Sequence, residues 1–507
     1  MNKFKEKMTL NPIMTFIILI FITIVVSGVL SLLGTSATYD QIDRAGNYVR
    51  TLETVNSLFN FSGIKEIFTN TVSNFAAFAP LVMLIIILFG IGIMEKSGFL
   101  KTVFRVLTKR VKKNTVTFFL VLISMVSSIA GDLGFVVFIP ISALLFLHGR
   151  RNPLIGIIAS FAAMTAGSGL SILFTSMDST LLSATLLGTS VVDSSYVLGA
   201  SVFVFIMTVA TFITSIIITM ITEGIIAPKM SKYEFEEVEE VPLGKSEYRG
   251  LILALGAGFI YLVIFIYNII PGLPFSGNLL ENSGEFYIDK LFSFNSFFSN
   301  GSVFVITILF VIWGLFYGIG AKTIKNNNDV SHCLGHSLDG TGRTIVYIFF
   351  AATFISIFKA TNIGIVVMAA LTNFFGTLAF QGFSMVVVLF LISLISSIFL
   401  PSPITRWAMI SGVAVPMMMN AGISPEYAQV IFRFGGAFMG LTPLFAYFII
   451  YLAYMEKYNQ EERPIALFQA IRLQLPYSLA VAGALLVIII IWYLVGLPIG
   501  IEGATVL

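Results

Sequence analysis

Four short polar interruptions in otherwise apolar sequence carry the side chains able to do chemistry. They are Ser127, Ser128 and Asp132; Thr175, Ser176 and Asp178; Ser396, Ser397 and Ser402; and Arg433 with Gly435, Gly436 and Thr442. Hydroxyls, carboxylates and a guanidinium are groups that hold an ion or a polar solute. A carboxylate takes up a proton or helps bind a cation, and the planar fork of arginine suits a carboxylate partner. No histidine or cysteine lies among them, so a nucleophile-and-base pair or a metal-ligand set is not readable there, although Asp132 and Asp178 could form a carboxylate pair.

Each candidate has a plainer reading beside the functional one. An ionisable group inside a membrane span costs several kcal/mol unless it is paired or hydrated, which makes Asp178 a functional residue. Asp132 also suits a helix cap, because an aspartate ahead of a helix accepts from unpaired amides. Arg433 also suits the negative end of a helix dipole. The tip serines also serve as partners for helix-end backbone. Lys359 closes its apolar run, where lysine snorkels to the interface. His332, Cys333 and His336 stand close together, but in a polar loop without further ligands, so no metal site is expected.

These residues need a membrane to position them. Hydrophobic residues make up 57% of the 507 and charged residues 11%, a composition that cannot build a water-facing surface. The net charge of +3 is small and its cations gather in short loops, which reads as topology and not as nucleic-acid binding. The single cysteine excludes an internal disulfide. Residues 116–147 are apolar except for SSIAGD at the middle. A straight helix of that length would run about 48 Å against a hydrocarbon core of about 30 Å, and either half alone reaches only about 22 Å. Lys109, Arg110, Lys112 and Lys113 before it and Arg150 and Arg151 after it put both ends on the cytoplasmic side, so the stretch is expected to be a re-entrant hairpin.

The remaining chain sorts around that hairpin. Residues 1–75 hold a basic start with Lys3, a first span over 12–33 and a polar outer loop; residues 76–228 hold a second span, the hairpin, a broken helix over 154–187 and a further span. Residues 229–343 hold two cytoplasmic loops flanking two spans, with the acidic run EFEEVEE in the first loop and Glu281, Glu285 and Asp289 between the spans. Residues 344–507 repeat the pattern with a second hairpin over 380–419 and a broken helix over 427–451, the segment between span and hairpin being a connection. The expected fold is an all-α polytopic membrane protein, nine transmembrane helices plus two re-entrant hairpins in an inverted repeat, with the N-terminus cytoplasmic. Such repeats place a binding site near the midplane, where half-helix ends and unwound backbone supply partial charges, as in secondary transporters.

Several blocks resemble the p-aminobenzoyl-glutamate transporter (AbgT) family of the ion transporter superfamily. They are EKSGFL from Glu95, SSIAGDLGFVVFIP from Ser127, GRRNPLIGIIASFA from Gly149, LFTSMDSTLLS from Leu173, and RWAMISGVAVPMM with GISPEYAQVIFRFG from Arg406 onward. The resemblance spans nearly the whole chain. It implies a homodimer in the bacterial inner membrane that moves p-aminobenzoyl-glutamate or exports sulfonamide-like antimetabolites. It also implies drive by an ion gradient, H+ or Na+, with no cofactor. By resemblance, Asp178 corresponds to the family's intramembrane aspartate and Asp132 to the acid past the first hairpin tip. Ser402 and Trp407 correspond to the serine and tryptophan of the second hairpin, Pro416 to the proline after it and Arg433 to the arginine of the second broken helix. Ser128, Ser171 and Ser397 stand where family asparagines are expected, and Gly436 where a second acid is expected. The implied mechanism is alternating access, with the hairpin tips holding an anionic aromatic amide, Trp407 stacked on its ring and Arg433 on its carboxylate. A transporter of small carboxylates or dicarboxylates shares the architecture, and a channel or intramembrane enzyme is the reading from another class.

Overall fold

The computed structural model describes residues 11–42, 48–172, 174–198, 203–235, 243–282, 287–292, 296–378, 382–501 and 505–506, without the side chains of 288, 289, 292 and 299. Lys3, Leu173, Glu285, Phe380, the side chain of Asp289 and most of the acidic run EFEEVEE lie outside the described residues.

Backbone in lipid must satisfy its own polar groups, so apolar runs of this length become helices. Among the described residues eight helical stretches are long and apolar enough to cross a membrane: Pro12–Leu32, Phe61–Ser97, Lys113–Ala130, Val204–Lys229, Lys245–Tyr267, Asn300–Ala321, Gly342–Ala360 and Leu467–Val495. Their ends are set by local chemistry. Asn11 accepts from the amide of Ile13 and Pro12 opens the first helix, while Gly98, at φ 92°, closes Ala79–Ser97. The equivalent turn after Gly342–Ala360 is made by Asn362, also left-handed at φ 57°.

Between these helices lie the interrupted segments. Lys113–Val126 and Leu133–His148 are joined by a tight helical turn over Ser127–Ala130; Phe383–Phe399 and Pro403–Asn420 are joined at Leu400–Ser402. Half-length helices Pro153–Gly167 and Ser176–Thr189 flank one break, and Pro425–Phe434 and Phe448–Lys457 flank another. The broken segments form the centre of the molecule: every residue of Pro153–Gly167 and of Pro425–Phe434 is buried. Pro153–Gly167 is apolar on nearly all sides, as suits a helix inside a packed core, whereas Pro425–Phe434 carries Glu426, Gln429 and Arg433 into it.

Glycines set how close the parts come. A Cβ on Gly167 would lie 2.7 Å from the Met125 carbonyl oxygen, and one on Gly435 would lie 2.2 Å from Ser393 Cβ, so in each half the break presses on the first limb of its own helix pair. A Cβ on Gly169 would lie 2.6 Å from the Arg433 carbonyl oxygen, which puts the two breaks against each other.

Several parts of the chain differ from their sequence reading, and in the outer polar stretch one difference is a helix, Phe61–Ala76. The outer polar stretch contains an antiparallel strand pair, Ser36–Ile42 with Tyr48–Thr54, whose Asp40 faces Arg50 across the ladder. It packs on the second half of the chain, where the Asn362 amide donates to Glu53 at 2.6 Å and Asn373 donates to the Thr38 carbonyl at 2.9 Å. The segment read as a connection after the span at Gly342–Ala360 is a helix, Ile363–Thr377. His332, Cys333 and His336 sit on a helix, Asn327–His336, and not in a loop, because Asn326 and Asp329 form a reciprocal cap at its start.

Candidate functional site

The first broken segment positions Asp178. Thr175 precedes the half-helix Ser176–Thr189 in extended conformation and its hydroxyl accepts from the Asp178 amide at 3.3 Å. Asp178 reaches back: one carboxylate oxygen accepts from the Thr175 amide at 2.8 Å and from the Thr175 hydroxyl at 2.7 Å. The other oxygen faces Arg433 Nη1 at 2.5 Å, with the two side chains 3% and 1% exposed. Asp178 lies in the first turn of its half-helix and Arg433 in the last turn of Pro425–Phe434. Each charge therefore sits at the helix end whose partial charges stabilise it, and the two ends are drawn together. Nε and Nη2 of Arg433 are buried without a hydrogen bond, so the guanidinium keeps one edge unused. Phe203 lies beneath it, 5.9 Å from Cζ to ring centroid.

The first helix pair reaches the second break. Asp132 does not cap Leu133–His148, contrary to the plain reading of the sequence; its backbone is already helical there and its side chain makes no cap bond. Asp132 is exposed and interacts with Tyr447, whose hydroxyl donates to Met83 Sδ at 3.6 Å. Phe135, one turn on, stacks on the Tyr447 ring at 5.0 Å. Ser127 donates to its own helix at Ser124 O, 2.6 Å, whereas the Ser128 hydroxyl is buried with no hydrogen-bond partner.

The second helix pair is more self-contained. Ser397 donates to Leu394 O at 2.7 Å within its helix, and Ser402 is the cap of Pro403–Asn420, accepting from the Thr405 amide at 3.3 Å. Ser396 donates to Ser393 O at 3.1 Å. Trp407 is fully buried: its ring packs on Phe432 at 4.7 Å, and its Nε1 donates to the Thr185 hydroxyl at 2.9 Å, which donates in turn to Gln429 at 2.6 Å. The indole thereby ties three helices together. Pro416 and Thr442 are buried, Ser171 is buried, and Ser176 is partly exposed at the start of its half-helix. Lys359 is exposed at the end of its span, as snorkelling requires.

Thr175, Asp178 and Arg433 thus come together, and Asp132 approaches the second break at Tyr447. Among the described residues no hydrogen bond joins Ser127, Ser128 or Asp132 to Ser396, Ser397 or Ser402. Arg406 was missed as a site residue. It is the sole charged residue in the apolar run 383–420, and that isolation was the available signal.

A helical fold with buried, oppositely charged half-helix ends at crossing breaks is that of a polytopic membrane transporter. The chain matches the AbgT putative transporter family over residues 4–507, and it belongs to that family. It is 27% identical over 501 residues to the p-aminobenzoyl-glutamate transport protein of Escherichia coli (strain K12), covering 97% of this chain and 93% of that one. Among solved structures it is similar to the YdaH transporter of Alcanivorax borkumensis, with 24% identity over 97% of this chain and 100% of that one and a TM-score of 0.49. It is also similar to Neisseria gonorrhoeae MtrF, described with a class of antimetabolite efflux pumps, with 28% identity over 96% of each chain and a TM-score of 0.48.

Proposed function

We propose that this transporter is driven by an ion gradient and moves an anionic aromatic amide of the p-aminobenzoyl-glutamate type, or exports sulfonamide-type antimetabolites, by alternating access. The observation that carries the reading is the buried Asp178–Arg433 pair at the crossing of the two breaks, 2.5 Å between Oδ1 and Nη1. Protonation of Asp178 removes the partner of Arg433 and frees its fork for a substrate carboxylate; loss of that proton restores the pair and expels the substrate. The neighbours of the Asp178 carboxylate argue against a Na+ seat on it. They are an amide, a hydroxyl that points its hydrogen at the carboxylate, and a guanidinium, all donors, whereas Na+ needs converging oxygen lone pairs. In this reading Ser127, Ser128, Thr175, Ser176, Ser397, Ser402, Trp407, Arg433 and Gly436 bind the substrate, and Asp132 shares ion coupling with Asp178.

The interrupted segments support re-entrant hairpins. The second limb of the first helix pair, Leu133–His148, is 16 residues long and reaches about 24 Å, short of a core of about 30 Å, although the first limb continued through Ser127–Ala130 is among the stretches apolar enough to cross. In this reading the unit is a homodimer in the bacterial inner membrane with a cytoplasmic N-terminus. The test is flux of p-aminobenzoyl-glutamate into proteoliposomes under a proton or a sodium gradient. Asp178→Asn is expected to abolish gradient-driven flux while the protein stays folded; flux equal to that of the unsubstituted protein would remove Asp178 from coupling.

A further inference from the structure

The second helix pair buries a positive charge that no acid answers. Arg406 is 1% exposed. Its Nη1 donates to the Ser393 carbonyl at 2.9 Å, the Ser393 hydroxyl at 3.1 Å and the Ser396 hydroxyl at 3.4 Å, and its face lies over Phe432 with Cζ 5.0 Å from the ring centroid. All of these partners are neutral. Among the described residues Arg406 makes no ion pair. Desolvating a guanidinium costs more than neutral acceptors and one ring return, so a fixed cation in this position calls for an anion. Its place in the helix sharpens the demand. Arg406 lies near the start of Pro403–Asn420, where the partial positive charge of the helix end adds to its own.

The guanidinium is also aimed. Its Nη1 side is spent on Ser393 and Ser396, whereas Nε is buried without a partner and Nη2 makes no hydrogen bond. Nε and Nη2 form one edge of the fork, the geometry that receives a carboxylate through two parallel hydrogen bonds. That edge faces Gly436. A Cβ built there would meet a single heavy atom within 4 Å, Arg406 Nη2 at 3.9 Å, although one built on the adjacent Gly435 would collide with Ser393. The backbone therefore closes at residue 435 and leaves side-chain room at 436, beside the unused edge.

We propose that the Nε–Nη2 edge of Arg406, with Gly436 as its floor, is a carboxylate-binding subsite for the transported organic anion. It rests on the proposed function in taking the cargo to be anionic, and it adds a cation that stays charged and available while Arg433 is held by Asp178. The test uses the full-length protein in detergent, titrated with benzoate and glutarate and with the uncharged controls benzamide and glutaramide. The unsubstituted protein is expected to bind each acid at least tenfold more tightly than its amide. Gly436→Asp places an internal carboxylate against Nη2 and is expected to abolish that preference while raising the melting temperature. Arg406→Gln, if it folds, abolishes the preference as well. Equal binding of acid and amide by the unsubstituted protein, or a preference that survives Gly436→Asp, overturns the subsite. p-Aminobenzoyl-glutamate separates the two claims. If it fails to bind while benzoate and glutarate bind, the proposed cargo falls and the subsite stands. If it binds the unsubstituted protein and Gly436→Asp equally, the subsite falls and the cargo stands.

Discussion

Asp178 and Arg433 form a buried ion pair. Each is neutralised by the other, and Thr175 supplies the carboxylate with two further donors that remain if the arginine is lost. Arg433→Gln therefore leaves a buried carboxylate without its cation, a change that costs roughly 3–5 kcal/mol. The double substitution Asp178→Asn with Arg433→Gln removes both charges and should recover most of that loss. Denaturation of the unsubstituted protein and the two variants in the same detergent reads the difference. A single variant as stable as the double one would show that the pair contributes nothing to the fold.

Glycines at the breaks carry the argument from residues to elements. Gly167 and Gly435 hold corresponding places in the two halves, each letting its break touch the first limb of the neighbouring helix pair. Gly435→Ala drives a methyl into Ser393 at a separation of 2.2 Å, and Gly167→Ala drives one to 2.7 Å from the Met125 carbonyl oxygen. Overpacking of this kind costs about 1–3 kcal/mol. Gly483→Ala is the contrast: it lies inside Leu467–Val495, nothing lies within 4 Å, and its stability should hold or rise by up to about 1 kcal/mol. Melting temperatures that fall equally at all three positions would argue against close packing at the breaks. The breaks themselves were legible in sequence, because a polar group in a long apolar run has few affordable places. Their partners were not. Nothing in the spacing of Asp178 and Arg433, or of Trp407 and Thr185, says that they meet, since those contacts depend on how distant segments cross. The strand pair at 36–54 was hidden because a polar outer loop has no apolar face to give it a period, and the capped helix at Asn327–His336 because its few apolar residues are lost among polar ones.

At the scale of the whole molecule the repeat makes a claim about direction that the helix boundaries alone do not. If Lys113–His148 and Phe383–Asn420 are re-entrant, both ends of the first lie on one face of the membrane and both ends of the second on the other. If either crosses, its ends separate. The chain is suited to deciding this by labelling, because Cys333 is its single cysteine and is buried. On a Cys333→Ser background, cysteines replacing Lys112 and Arg150 flank the first helix pair, and those replacing Phe383 and Asn420 flank the second; all four positions are exposed. A membrane-impermeant maleimide added to intact cells should miss the first two and reach the second two, with the pattern reversed in inside-out vesicles. The sign follows from charge: Lys109, Arg110, Lys112 and Lys113 before the first pair and Arg150 and Arg151 after it hold those ends in the cytoplasm, while 383 and 420 have no basic cluster beside them. Labelling of Lys112 and Arg150 positions from opposite faces would make the first helix pair a crossing segment and reverse every crossing that follows it.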